Sequence, residues 1–137
     1  LEHLDRRVLD GRRNHDHVAS RLRAINSVEV PPAYPSELRA PDSLQFNLPH
    51  ISNEALDAFV ADAKQRGLHI QVFGRSKNNS RAYWNWGFLS DVPDFPQTRA
   101  MLMRACDLRL PARLSLDECD LIADTLIAAL ETAVEAH

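Results

Sequence analysis

Cysteine, glycine and lysine are scarce in this 137-residue chain, at two, four and two residues. Cys106 and Cys119 stand 13 positions apart, without the partner spacing of a zinc site, and two cysteines cannot make a disulfide-dense scaffold. The expectation is a reduced, cytoplasmic protein whose cysteines are small core hydrophobes, since neither has an adjacent histidine to make it a nucleophile. The glycines, Gly11, Gly67, Gly74 and Gly87, are scattered, so no glycine-rich loop cradles a phosphate. Neither a G-x-S-x-G elbow nor an H-E-x-x-H pair occurs. No run of about 18 apolar residues exists, so no membrane span is expected. Surplus positive charge is missing too: 16 basic residues face 19 acidic ones, a net charge of −3, which argues against nucleic acid as a partner. The first residues, Leu1-Glu2-His3-Leu4-Asp5-Arg6-Arg7, hold no apolar signal core and no methionine, and read as an excised or cleaved piece rather than a targeting segment.

The apolar fraction of 45% and the charged fraction of 26% are those of one ordinary globular domain spanning residues 1–137. Leu1, Leu4, Val8, His15, Val18, Leu22 and Ile25 recur at helical steps and predict one long helix ending near Asn26. Its polar face carries most of the local arginines, and Gly11 interrupts it at a cost of about 1 kcal/mol in an isolated helix. His15 and His17 point to different faces, cannot share a metal, and are expected as solvated helix histidines. Val30-Pro31-Pro32-Ala33-Tyr34-Pro35 is a connector, because proline lacks an N–H and restricts its predecessor.

Leu44 to Leu48 alternates as a strand does. A helix capped by Ser52 or Asn53 follows, with a stripe of Leu56, Phe59, Val60 and Ala63 and a stop at Gly67. Leu68 to Phe73 alternates again. A third helix is expected from Pro96 through Cys106, with Met101, Leu102 and Ala105 as its apolar side, and then a short strand over Asp107–Leu110. Ser115 and Glu118 form a capping box for a last helix to about Ala136, on a stripe that includes Leu121 and Leu126. The order predicts an α+β fold: a small antiparallel sheet of two to four short strands against three to four helices.

Residues 74–95 lack periodicity, and long irregular segments in compact domains are often functional or partner-facing. Arg75, Lys77 and Arg81 supply three cations, Asn78, Asn79 and Ser80 neutral donors, and Tyr83, Trp84 and Trp86 flat apolar surface. Arginine grips a carboxylate or phosphate with two parallel bonds, so the cluster could line an anionic ligand site. It could equally be a structured loop whose aromatics pack while its charges stay in water.

A strand after Arg66-Gly67-Leu68, an aromatic loop, Asp94-Phe95-Pro96-Gln97-Thr98 leading a helix, Asp107-Leu108-Arg109-Leu110-Pro111, and a last helix from Leu114-Ser115-Leu116-Asp117-Glu118 together resemble the C-terminal small domain of the DegT/DnrJ/EryC1/StrS aminotransferases, fold-type I pyridoxal-phosphate enzymes. The first 26 residues look like the family's long helix leaving the cofactor domain, with Arg12-Arg13 in its usual place. The resemblance implies transfer of an amino group from glutamate or glutamine to a keto-sugar, in a homodimer that includes a large domain absent from this chain. It implies pyridoxal phosphate on a lysine of that large domain. Lys64 and Lys77 stand in no cofactor motif, so this chain alone is expected to bind no cofactor and to be inactive. The family's H-Y-x-P-L-H-like stretch is replaced by Val72-Phe73-Gly74-Arg75-Ser76-Lys77. Substrate contacts are placed among Arg75, Lys77, Asn79, Arg81, Tyr83 and Trp84 of the loop and Arg109 of the last strand; no catalytic residue and no metal ligand is assigned. The alternative is a stand-alone α+β module holding a small anion or a peptide through the loop over residues 74–90.

Overall fold

The computed structural model describes residues 3–136; Leu1, counted above in the first helical stripe, lies outside them. Four helices, α1 (Leu4–Leu22), α2 (Asn53–Gln65), α3 (Pro96–Leu102) and α4 (Leu116–Ala136), accompany three strands, β1 (Ser43–Asn47), β2 (Ile70–Val72) and β3 (Ala105–Arg109). The strands form an antiparallel sheet in the order β1-β3-β2. The α+β class and the small antiparallel sheet are as the sequence predicts.

Strand alternation decides what the sheet presents on each side. Leu44 and Phe46 of β1, Ile70 and Val72 of β2, and Cys106 and Leu108 of β3 are buried in one core with α1, α2 and α4. Phe59 of α2 meets Phe46 edge-on, with ring centroids 6.4 Å apart. Each such fully buried side chain contributes roughly 1.5–3 kcal/mol relative to exposure. The opposite face is polar over Ser43, Gln45, Gln71, Asp107 and Arg109, and at its Ala105 end packs against Leu102 of α3.

Local chemistry sets the boundaries. Ser52 accepts from the Ala55 N–H at 2.9 Å and starts α2. Gly67 ends the segment with φ +93°, a conformation that favours glycine. β2 stops at Val72 because Phe73 to Arg75 turn over the end of α3. A Cβ on Gly74 would stand 2.8 Å from the Met103 N, so only glycine permits the crossing.

Several sequence expectations are corrected, and the first of them is the end of α1, which falls at Leu22 and not near Asn26. The third helix ends at Leu102, and Cys106 belongs to β3. Pairing of Ala105 with Asn47 and Cys106 with Phe46 outweighs the helical periodicity that extends through them, and Met101 is exposed. The strand consequently begins at Ala105 and not at Asp107. Leu121 is 67% exposed, because α4 turns Cys119, Ala123 and Leu126 inward instead. His15 is buried beside Asn14 and Val18, since α1 packs on the domain from Gly11 onward while Leu4 and Leu9 stay exposed. His17 is half-buried, with Nε2 within hydrogen-bond distance, 2.8 Å, of Asp120 Oδ1 on α4.

At the start of α4 the Ser115 Oγ accepts from the Glu118 N–H at 3.2 Å, and Glu118 Oε2 accepts from the Ser115 N–H at 2.7 Å. The backbone bond, followed by the hydroxyl bond, holds the Glu118 carboxyl below its ordinary range. Ser115→Ala is therefore expected to cost roughly 0.5–2 kcal/mol. Urea unfolding of the two proteins measures this, and coincident transitions would place the helix start elsewhere.

Candidate functional site

The open face of the sheet becomes a site where two irregular segments rise beside it. On one side the connector over residues 31–42 stands as a wall. Arg12 of α1 pins it, its Nε and Nη2 donating to the Arg39 carbonyl at 3.2 and 2.9 Å. On the other side the aromatic loop brings Arg81. Between them lies a cleft of ≈ 410 Å³ lined by His15, Arg39, Pro41, Asp42, Gln45 and Arg81, among others.

The loop owes its shape to its own polar side chains. Asn79 is buried and its Oδ1 accepts from the Arg81 N–H at 2.9 Å, an Asx turn that sets the backbone from which Arg81 projects. Asn85 Nδ2 donates to the carbonyls of Ser76 and Asn79, both at 2.9 Å. Tyr83 is buried with Phe73, Leu102 and Ala105 in a second small core, and its hydroxyl accepts from the Phe95 N–H at 3.0 Å. Trp84 packs edge-on against Tyr83 and carries the Arg99 guanidinium 4.3 Å above its ring. Tyr83 and Trp84 thus anchor the loop.

The seven residues singled out from the sequence separate in space. Arg81 lines the cleft, half-exposed, with its guanidinium 4.6 Å from the centre of the Phe73 ring and Nη1 4.0 Å from Asp107 Oδ1. Arg109 shares the sheet face and pairs with Asp42 on the cleft's rim. Asn79 supports Arg81 from behind. Arg75 turns away toward α2, where it pairs with Asp57 and donates to Asn53. Lys77 is exposed outside the cleft, and Tyr83 and Trp84 lie beneath the loop.

Sequence reasoning passed over His15, Arg39, Asp42, Gln45 and Asp107. For two of them a signal existed. The alternation Asp107-Leu108-Arg109-Leu110 puts Asp107 on the face of Arg109, and Leu44-Gln45-Phe46 puts Gln45 on the polar side of β1. The connector residues had none, because prolines remove periodicity.

The chemistry on offer is recognition. Arg39 and then the Tyr34 N–H hold the Glu37 carboxyl below its ordinary range. Burial pushes the Cys106 thiol up to about 12 and raises Cys119 as well, which disfavours the thiolate form at both buried positions. No group of three histidine, cysteine or acidic side chains that could hold a metal exists among the described residues, and none of the described helices is long and apolar enough to cross a membrane.

No family model and no curated protein matches the sequence. Solved structures do match. The aminotransferase TlmJ from Streptoalloteichus hindustanus superposes with a TM-score of 0.75 at 13% identity, over 96% of this chain and 34% of its own. The sugar aminotransferase CalS13 from Micromonospora echinospora gives 0.68 at 16%, over 93% and 32%. A DegT DnrJ EryC1 StrS aminotransferase from Brucella abortus also gives 0.68 at 16%, over 93% and 32%. The chain has the fold of one part of these enzymes and spans about a third of their length.

Proposed function

We propose that this chain is the C-terminal small domain of a pyridoxal-phosphate-dependent aminotransferase that moves an amino group from glutamate or glutamine to a keto-sugar. The observation that carries the reading is the match of nearly the whole chain to one third of several aminotransferases, sugar aminotransferases among them. The polar cleft beside the sheet agrees with it, because such a surface suits a wet domain boundary. A large domain, roughly twice this chain's length, would complete the enzyme. The complete enzyme would act as a homodimer in the cytoplasm. Arg81 would then meet the carboxylate of a substrate held between the domains.

The residues present here do not fit the cofactor. Lys64 lies exposed on α2 and Lys77 exposed in the loop. No glycine-rich turn stands ready for the phosphate group. The cofactor would belong to the large domain, and no step is assigned to it on this chain. Mixing the isolated chain with pyridoxal phosphate and reducing with borohydride is expected to leave only scattered, substoichiometric labelling. A one-to-one adduct on Lys64 or Lys77 in the peptide map would contradict this.

The reading frame upstream of Leu1 tests the proposal as a whole. A continuous frame encoding a domain with a cofactor-binding lysine supports it. A start codon directly before Leu1 sinks it and leaves a stand-alone anion-binding module.

A further inference from the structure

Asp107 sits at the middle of the central strand, opposite Gln45 of β1 and Gln71 of β2, both neutral. Its side chain is only 9% exposed, and Oδ1 is closed to solvent with no hydrogen-bond partner. The nearest cation is Arg81, whose Nη1 at 4.0 Å is too far for a hydrogen bond. Oδ1 therefore has neither a donor nor water beside it, and Arg81 is the cation nearest to it. Arg81 lines the cleft and Asp107 does not, so a ligand meets the guanidinium with the carboxylate behind it.

The other cleft charges are balanced: Glu37 pairs with Arg39 at 2.7 Å, and Asp42 pairs with Arg109. The cleft thus offers the fork of a guanidinium without surplus positive charge. A fork binds a carboxylate through two parallel bonds whatever the net charge, whereas a doubly charged group meets the repulsion of Asp107 twice over.

We propose that Asp107 is a specificity-determining residue of the Arg81 site, selecting singly charged carboxylate groups over doubly charged phosphate groups. The proposal rests on the reading of Arg81 as the anion contact. A charge about 8 Å from the ligand, at an effective dielectric of about 20 and in ordinary salt, corresponds to about fivefold per unit of ligand charge.

The test is a titration of the 137-residue chain with acetate and with inorganic phosphate, followed at the Arg81 side-chain N–H signal by NMR. Ionic strength is held constant with chloride, and the pH is mildly alkaline so that phosphate is a dianion. Asp107→Asn is expected to raise the phosphate-to-acetate affinity ratio about fivefold. Asp107→Ser removes the same charge with a smaller side chain and is expected to raise that ratio likewise. It keeps the test open should Asp107→Asn fail to fold. An unchanged ratio in the folded variants, with Arg81 still responding, overturns the role of Asp107 and leaves the reading of Arg81 standing. Silence of the wild-type Arg81 signal toward both anions removes that reading, and the proposal with it.

Discussion

In the aminotransferase proposed above, Arg81→Ala is expected to lower kcat/KM for a carboxylate-bearing substrate roughly ten- to a hundredfold, the loss of a charge-assisted bond of about 1.5–3 kcal/mol. Folding should hardly change. The guanidinium is half-exposed, its ion partner is 4.0 Å away, and its contact with Phe73 at such a site is worth about 0.5–1 kcal/mol. Arg75→Ala is expected to do the reverse, because Arg75 ties the loop to Asp57 and Asn53 of α2 and stands outside the cleft. Steady-state kinetics with donor and acceptor varied separately, beside thermal unfolding of each variant, distinguishes the two. If Arg81→Ala keeps full kcat/KM for both substrates, the assignment of the cleft is wrong.

Asn14→Leu is expected to lower stability by about 1–3 kcal/mol. Asn14 is fully buried on α1. Its Nδ2 donates to the carbonyls of Pro111 and Leu114, both at 3.1 Å, in the turn that leads into α4. Its Oδ1 accepts from Nε and Nη2 of Arg13 at 3.1 and 2.9 Å. Leucine has nearly the same size and no polar atom. It removes the amide's bonds to the turn and one acceptor of Arg13, while the Pro111 carbonyl keeps the Leu114 N–H and Arg13 keeps Asp10 and the Leu114 carbonyl. Urea denaturation should show a lower midpoint at an unchanged slope. A midpoint within error of the wild type would mean that water replaces the amide at no penalty.

The polar helix position of Asn14 was legible as a helix residue but not as a pin, because its partners lie about a hundred residues away in sequence. The same division holds elsewhere. The capping box, the Gly67 stop and the strand alternations are local, and were readable. The end of α3 was not, since Ala105 and Cys106 suit a helix until β1 offers them a ladder. Within the candidate site, Arg81 was visible as one of three loop cations. Choosing it over Arg75 and Lys77 required knowing which side of the loop faces the sheet. Asp107 escaped notice because a carboxylate in a short strand is ordinary, and its burial arises only when the loop folds over it.

The width of the cleft has an origin outside its own lining. Gly11, in the middle of α1, lies so close to the connector that a Cβ there would stand 2.6 Å from the Pro41 carbonyl oxygen. Two stretches of main chain, not two adaptable side chains, therefore meet at that point, and main chain yields little. The residue at position 11 acts as a spacer: hydrogen is the thinnest shim available, and any methyl group would drive Pro41 and its neighbours Arg39 and Asp42 out of place. The calibre of the cleft is thus encoded in a helix position outside its lining, where a change would alter its width while every lining side chain kept its identity.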